Sequence, residues 1–194
     1  MTDEMTLNAV AVGRKTRFSD RWSAKDLVVI GIFAAAAKIS TVLIAMVGGG
    51  MNPVSLLLKN MVFTTLLVVM LFKVKQSGTL TLFVIVSTLV NCLLLGGNIT
   101  LIVPMLFAAL LSELLMASVR KAGLPGSVYW GVGCFDLICK FGSLGISYLM
   151  MRESPALMAV VIPIVIIGYV GSLIGLWTGY RSTKELRHAG IIRF

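Results

Sequence analysis

The chain has 194 residues, 58% of them hydrophobic and 13% charged, with a formal net charge of +9. Soluble domains carry about 25% charged residues, so a water-soluble globular enzyme or binding module is excluded. The mean hydropathy of +0.97 calls for an all-α membrane protein of several spans. The excess of positive charge falls in loops and tails, where topology and anionic lipid account for it and nucleic acid is not an expected partner.

Residues 1–24 form a polar leader in which Arg14, Lys15, Arg17 and Arg21 precede Lys25. No small-x-small cleavage site follows, so a removable signal peptide is not expected. The first span is predicted over 25–47. One flank of it is small or short: Gly31, Ala34, Ala35, Lys38, Thr41 and Ala45 recur near i, i+3, i+4, i+7 and share a helix face. Packing drives helix association in lipid, so this stripe reads as a docking face. The run Gly48-Gly49-Gly50-Met51-Asn52-Pro53 cannot continue a helix cheaply and is a loop.

Further spans are predicted over 53–72, 80–95, 99–119, 127–150 and 157–180, separated by Gly-, Pro- or charge-marked turns. The last carries Gly171-x3-Gly175-x3-Gly179, a double small-xxx-small stripe that packs closely on another helix, of this chain or of a partner. Residues 181–194 form a basic tail. The expected organisation is a leader (1–24), a six-helix transmembrane domain (25–180) and the tail. Thirteen of the 17 Lys and Arg lie on the side of the termini, three are inside spans, and Arg152 stands alone on the other side. Both termini are therefore expected to be cytoplasmic, in a multi-pass protein of the bacterial cytoplasmic membrane.

Five ionisable residues fall inside spans: Lys38, Lys59, Glu113, Asp136 and Lys140. A charge facing lipid costs several kcal/mol, so each is expected to face protein or a polar cavity. Asp136 and Lys140, four apart, either neutralise one another or serve a ligand. Lys59, about 9 Å from the outer end of its span, either snorkels or meets an anionic ligand, and Glu113 lies towards the inner end. The amides of Asn52, Asn91 and Asn98 cluster at outward span ends, where they serve a polar ligand or plain turn chemistry. Met46, Met51, Met150, Met151 and Met158 form an outward rim, read chiefly as adaptable packing.

The single histidine, His188, lies in the tail, which argues against a proton-relay pump. Cys92, Cys134 and Cys139 lie in apolar runs without metal-ligand spacing. No nucleophile triad, zinc motif or phosphate loop is present, so no catalytic residue, bound cofactor or metal is expected and any ATP would be hydrolysed by partner subunits.

Two stretches carry a family resemblance: Ser23–Phe33 (SAKDLVVIGIF) and Gly175–Phe194 (GLWTGYRSTKELRHAGIIRF). With the six-span layout they make the chain resemble the Trep_Strep integral membrane proteins, classed with the substrate-binding S components of energy-coupling factor (ECF) transporters. The resemblance implies an S-component-like bundle that captures a micronutrient at its outer face. It further implies docking on a transmembrane T component joined to two ABC ATPases, with small residues of the first helix as the contact. The family's Ala-x3-Ala docking motif is replaced here by Gly31-x3-Ala35, with Ala34 and Lys38 beside it. The loop 48–52 corresponds to a lid. The pocket the resemblance implies nominates Lys140, Tyr148, Asn98 and Met151; with Asn52, Lys59 and Asn91 from the reading of span ends these are the expected substrate-binding residues, and the aliphatic, Met-rich setting points to haem, a metal chelate or a vitamin. The alternatives are a structural or regulatory membrane subunit, or a standalone secondary carrier.

Overall fold

The computed structural model describes residues 22–49, 52–74, 76–95, 102–123, 126–150 and 155–189. Within them six helices follow one another: α1 (Ala24–Val47), α2 (Pro53–Lys73), α3 (Thr79–Leu95), α4 (Ile102–Lys121), α5 (Ser127–Met150) and α6 (Pro155–His188). No strand occurs among the described residues. Five of the helices are long and apolar enough to cross a membrane. The 17-residue α3 is shorter, about 26 Å at 1.5 Å per residue.

The boundaries follow local chemistry. Ser23 caps α1 by accepting from the Lys25 amide, and Asn52 caps α2 by accepting from Val54, with Pro53 in the first turn. Glu113 of α4 reaches across to the start of α3, where its Oε1 accepts the Thr81 amide at 3.0 Å. That satisfies one of the orphan donors every helix start leaves, and gives this in-span carboxylate a structural role. Gly78, at φ 98°, makes the turn into α3.

The predicted sixth span ends at 180, whereas α6 continues to His188. Lys, Glu, Leu and Arg are good helix formers, and Thr183 stays 7% exposed against the bundle. Half the predicted tail is therefore helix.

The glycine stripe of α6 packs inside the chain. A Cβ at Gly171 would stand 2.5 Å from the Leu57 carbonyl oxygen, one at Gly175 2.5 Å from that of Met61, and one at Gly179 2.9 Å from the Val68 side chain. The backbones of α2 and α6 thus run in direct contact. Thr65 on α2 ties the seam by donating to the Gly175 carbonyl at 3.1 Å and pairing with the Thr178 hydroxyl at 2.7 Å. The core, with Ile30, Leu67, Met70, Leu80, Phe83 and Phe135 fully buried, lies between α1, α2, α3 and α5.

At the end of the bundle where α1 starts and α6 finishes, Phe72, Tyr129 and Tyr180 stack at 5.2–5.3 Å. Trp130 and Trp177 are exposed beside them, and Arg181 lies 5.2 Å over the Trp177 ring. Aromatic rings with basic partners are the usual furniture of a membrane–water boundary.

Candidate binding site

Two polar centres sit at hydrocarbon depth. The first joins α2 to α5. Asn60 and Thr64 are four apart on α2, and Asp136 and Lys140 four apart on α5, so each pair occupies one face of its helix. Thr64 Oγ1 donates to Asp136 Oδ2 at 2.8 Å, and Lys140 Nζ donates to Asn60 Oδ1 at 2.6 Å. The two charges are close enough to act on one another, but their hydrogen bonds are to α2. Asp136 is 6% exposed. Gly168 of α6 admits Lys140, whose Nζ lies 3.1 Å from where a Cβ would be. This centre is a cross-brace among three helices, with its polar groups turned on each other.

The second centre borders a cavity. Lys38 of α1 donates to the Asn91 side-chain oxygen on α3. Around this contact lies a cavity of about 150 Å³ lined by Ala34, Ala37, Thr41, Phe63, Ser87, Thr88 and Met105, together with Lys38 and Asn91. The lysine is 14 residues into α1 and 9 from its end, so about 21 Å and 13 Å from the two ends. The Ser87 hydroxyl at the cavity is buried without a hydrogen-bond partner. Thr41 donates back to the Lys38 carbonyl at 2.8 Å.

The residues expected to bind substrate are thus dispersed. Asn91 lines the cavity, while Lys140 belongs to the cross-brace. Asn52 is an exposed helix cap, Lys59 is partly buried on α2, and Tyr148 is 56% exposed on the outside of α5. Asn98 and Met151 lie outside the described residues.

The expected docking stripe divides. Ala34 is 1% exposed in the chain's own core and so is not presented to a partner, while Lys38 is partly exposed and turned onto Asn91 of α3. Gly31 and Ala35 are partly exposed, and the space about Gly31 is open to 4 Å. One-face spacing concealed this split because the two pairs stand only about 60° apart around the helix.

Sequence reasoning missed Asn60, Thr64, Ser87 and Thr88, and placed Thr41 with the docking stripe. The signal for the first two was a polar i, i+4 pair on α2 matching the charged pair on α5. Hydroxyls in apolar spans give no comparable signal, since each can bond its own helix, as Thr65 does to Met61.

The cavity is far smaller than a haem, being of the size that in other proteins holds a single benzene ring. Among the described residues no group of three or more His, Cys, Asp or Glu comes together to hold a metal. The cysteines are free, with Cys92 exposed and the other two partly buried.

Five helices long and apolar enough to cross a membrane define a multi-pass helical membrane protein. Its sequence over residues 24–159 matches the model of the family described as "hypothetical bacterial integral membrane protein (Trep_Strep)". The chain belongs to that family. Comparison with curated proteins and with solved structures gives no match.

Proposed function

We propose that the chain is the non-catalytic, substrate-binding S subunit of an ECF-type importer, which captures a small micronutrient and passes it inward by docking on a T component that carries two ATPases. One observation carries the reading: a cavity at hydrocarbon depth, away from the termini, whose lining combines Lys38, Asn91, Thr41, Ser87 and Thr88 with four apolar side chains. Polar groups are costly in a membrane unless they meet a partner, so a polar pocket there serves a polar solute. The cavity's size favours a compact vitamin-like solute over haem or a metal chelate.

The partly exposed Gly31 and Ala35 supply the docking contact, on a face separate from the cavity. The basic leader, the turns and the Trp177–Arg181 boundary support cytoplasmic termini in a bacterial plasma membrane. The cavity then lies in the outer half of the bilayer.

The test is uptake in cells co-expressing the chain with a T component and its two ATPases. Ala35→Leu is expected to abolish uptake while the purified variant stays folded and keeps its ligand. Uptake by the chain alone, driven by an ion gradient, would establish a secondary carrier instead.

A further inference from the structure

We propose that the cavity between α1 and α3 takes a small carboxylic acid, whose carboxylate lies against Lys38. This rests on reading the cavity as the solute site and goes on to name the solute's chemistry.

The first observation is an imbalance of charge. Lys38 has a neutral partner, the Asn91 amide oxygen. The two described carboxylates inside spans are both engaged elsewhere, Glu113 with the Thr81 amide and Asp136 with Thr64. Asp26, also on α1, lies 12 residues away, about 18 Å. Arg and Lys within spans ordinarily pair with an anion or with several carbonyls. Lys140, which like Lys38 is partly buried, has Asp136 one turn away. Lys38 has none, and an ammonium offers three donors, so hydrogen-bonding capacity remains after Asn91 is served.

The second observation is independent of the first. Ser87 lines the same cavity, and its enclosed hydroxyl lacks a partner, as do those of Thr81, Ser112 and Ser172 elsewhere. Beside Ser87, Thr88 and the Asn91 amide nitrogen add donors. A carboxylate accepts from several donors at once, so one such group answers the ammonium together with the Thr88 hydroxyl or the Asn91 amide.

The third observation is shape. Ala34, Ala37, Phe63 and Met105 line the cavity, and the buried ring of Phe83 stacks on Phe63 at 5.9 Å. A short apolar body fits beside the polar end. The volume of about 150 Å³ accommodates roughly six non-hydrogen atoms of such a body.

Binding of acetate, propionate and benzoate to the purified full chain in nanodiscs, beside acetamide, propionamide and benzamide, tests this. All arms contain chloride, so an inorganic anion cannot account for a difference. At least one acid is expected to bind about ten-fold or more tighter than its amide, the size of one charge-assisted hydrogen bond. Lys38→Met should remove that preference. Asn91→Asp, which places an internal carboxylate against the ammonium, should remove it as well while leaving the thermal unfolding temperature at or above that of the wild type. Equal binding of acid and amide, or a preference for acid that survives in folded Asn91→Asp, overturns the proposal and leaves the cavity as a site for neutral solutes. Failure of all six probes to bind also overturns it. The importer reading is judged separately, by uptake in the presence of the ATPase partners.

Discussion

Replacing Gly175 by alanine tests the seam that holds α6 to α2. The new Cβ would stand 2.5 Å from the Met61 carbonyl oxygen and 2.9 Å from Thr64 Cβ, closer than real Cβ atoms approach. Both neighbours belong to the α2 backbone or to its first side-chain atom, so relief requires the helices to separate. Overpacking of this kind costs about 1–3 kcal/mol. Separation also weakens the bond from Thr65 to the Gly175 carbonyl, in a seam where polar contacts contribute roughly 0.6 kcal/mol each. Alanine's better helix propensity returns up to about 1 kcal/mol. The net expectation is a loss of about 1–2 kcal/mol.

Gly133→Ala is the matched control, because no heavy atom lies within 4 Å of its added Cβ. Only the propensity gain remains there, so the variant should equal or exceed the wild type by up to about 1 kcal/mol. Reversible unfolding in mixed micelles, followed by tryptophan fluorescence, measures both. Equal stability of the two variants would refute the close-packed seam and with it the relative placement of α2 and α6.

Lys140→Met removes the bond to Asn60 and the charge nearest Asp136 and should cost about 1–3 kcal/mol, part of it restored by adding Asp136→Asn, as a double-mutant cycle in the same unfolding assay would show. Ala34→Leu, at a buried core position, should lower stability by about 1–3 kcal/mol through overpacking, whereas Gly31→Leu should leave the unfolding temperature of the purified chain within error of wild type; the reverse order would invert the assignment of the two faces of α1. Orientation is checked in a background lacking the native cysteines: Pro53→Cys should react with an impermeant maleimide from outside intact cells and Ser77→Cys should not.

Most of the architecture is legible in the sequence because lipid imposes a one-dimensional rule. A span must be apolar for about 20 residues, and Gly, Pro and charge mark its ends. Hence α1, α2 and α5 begin and end within a residue or so of their predicted bounds. The end of α6 was not legible, since RSTKELRH is polar enough to be a tail and helical enough to extend a span. Periodicity also placed Ala34 and Lys38 on one face of α1 without saying whether that face looks inward or outward. In a membrane both surroundings are apolar, so hydropathy cannot separate them. The same blindness kept Lys38 and Asn91 apart, one assigned to docking and the other to substrate, although they meet across the α1–α3 contact. The cavity depends on pairs distant in sequence, whereas the glycine stripe was visible locally and lacked only the identity of its partner.

The account turns on whether the cavity beside Lys38 holds a solute. Native mass spectrometry of the full chain released from nanodiscs reads this directly. The wild type is expected to carry one small-molecule adduct, which folded Lys38→Met no longer retains. A wild-type chain that flies bare after gentle release, or a variant that keeps the same adduct, would contradict a solute site built on Lys38.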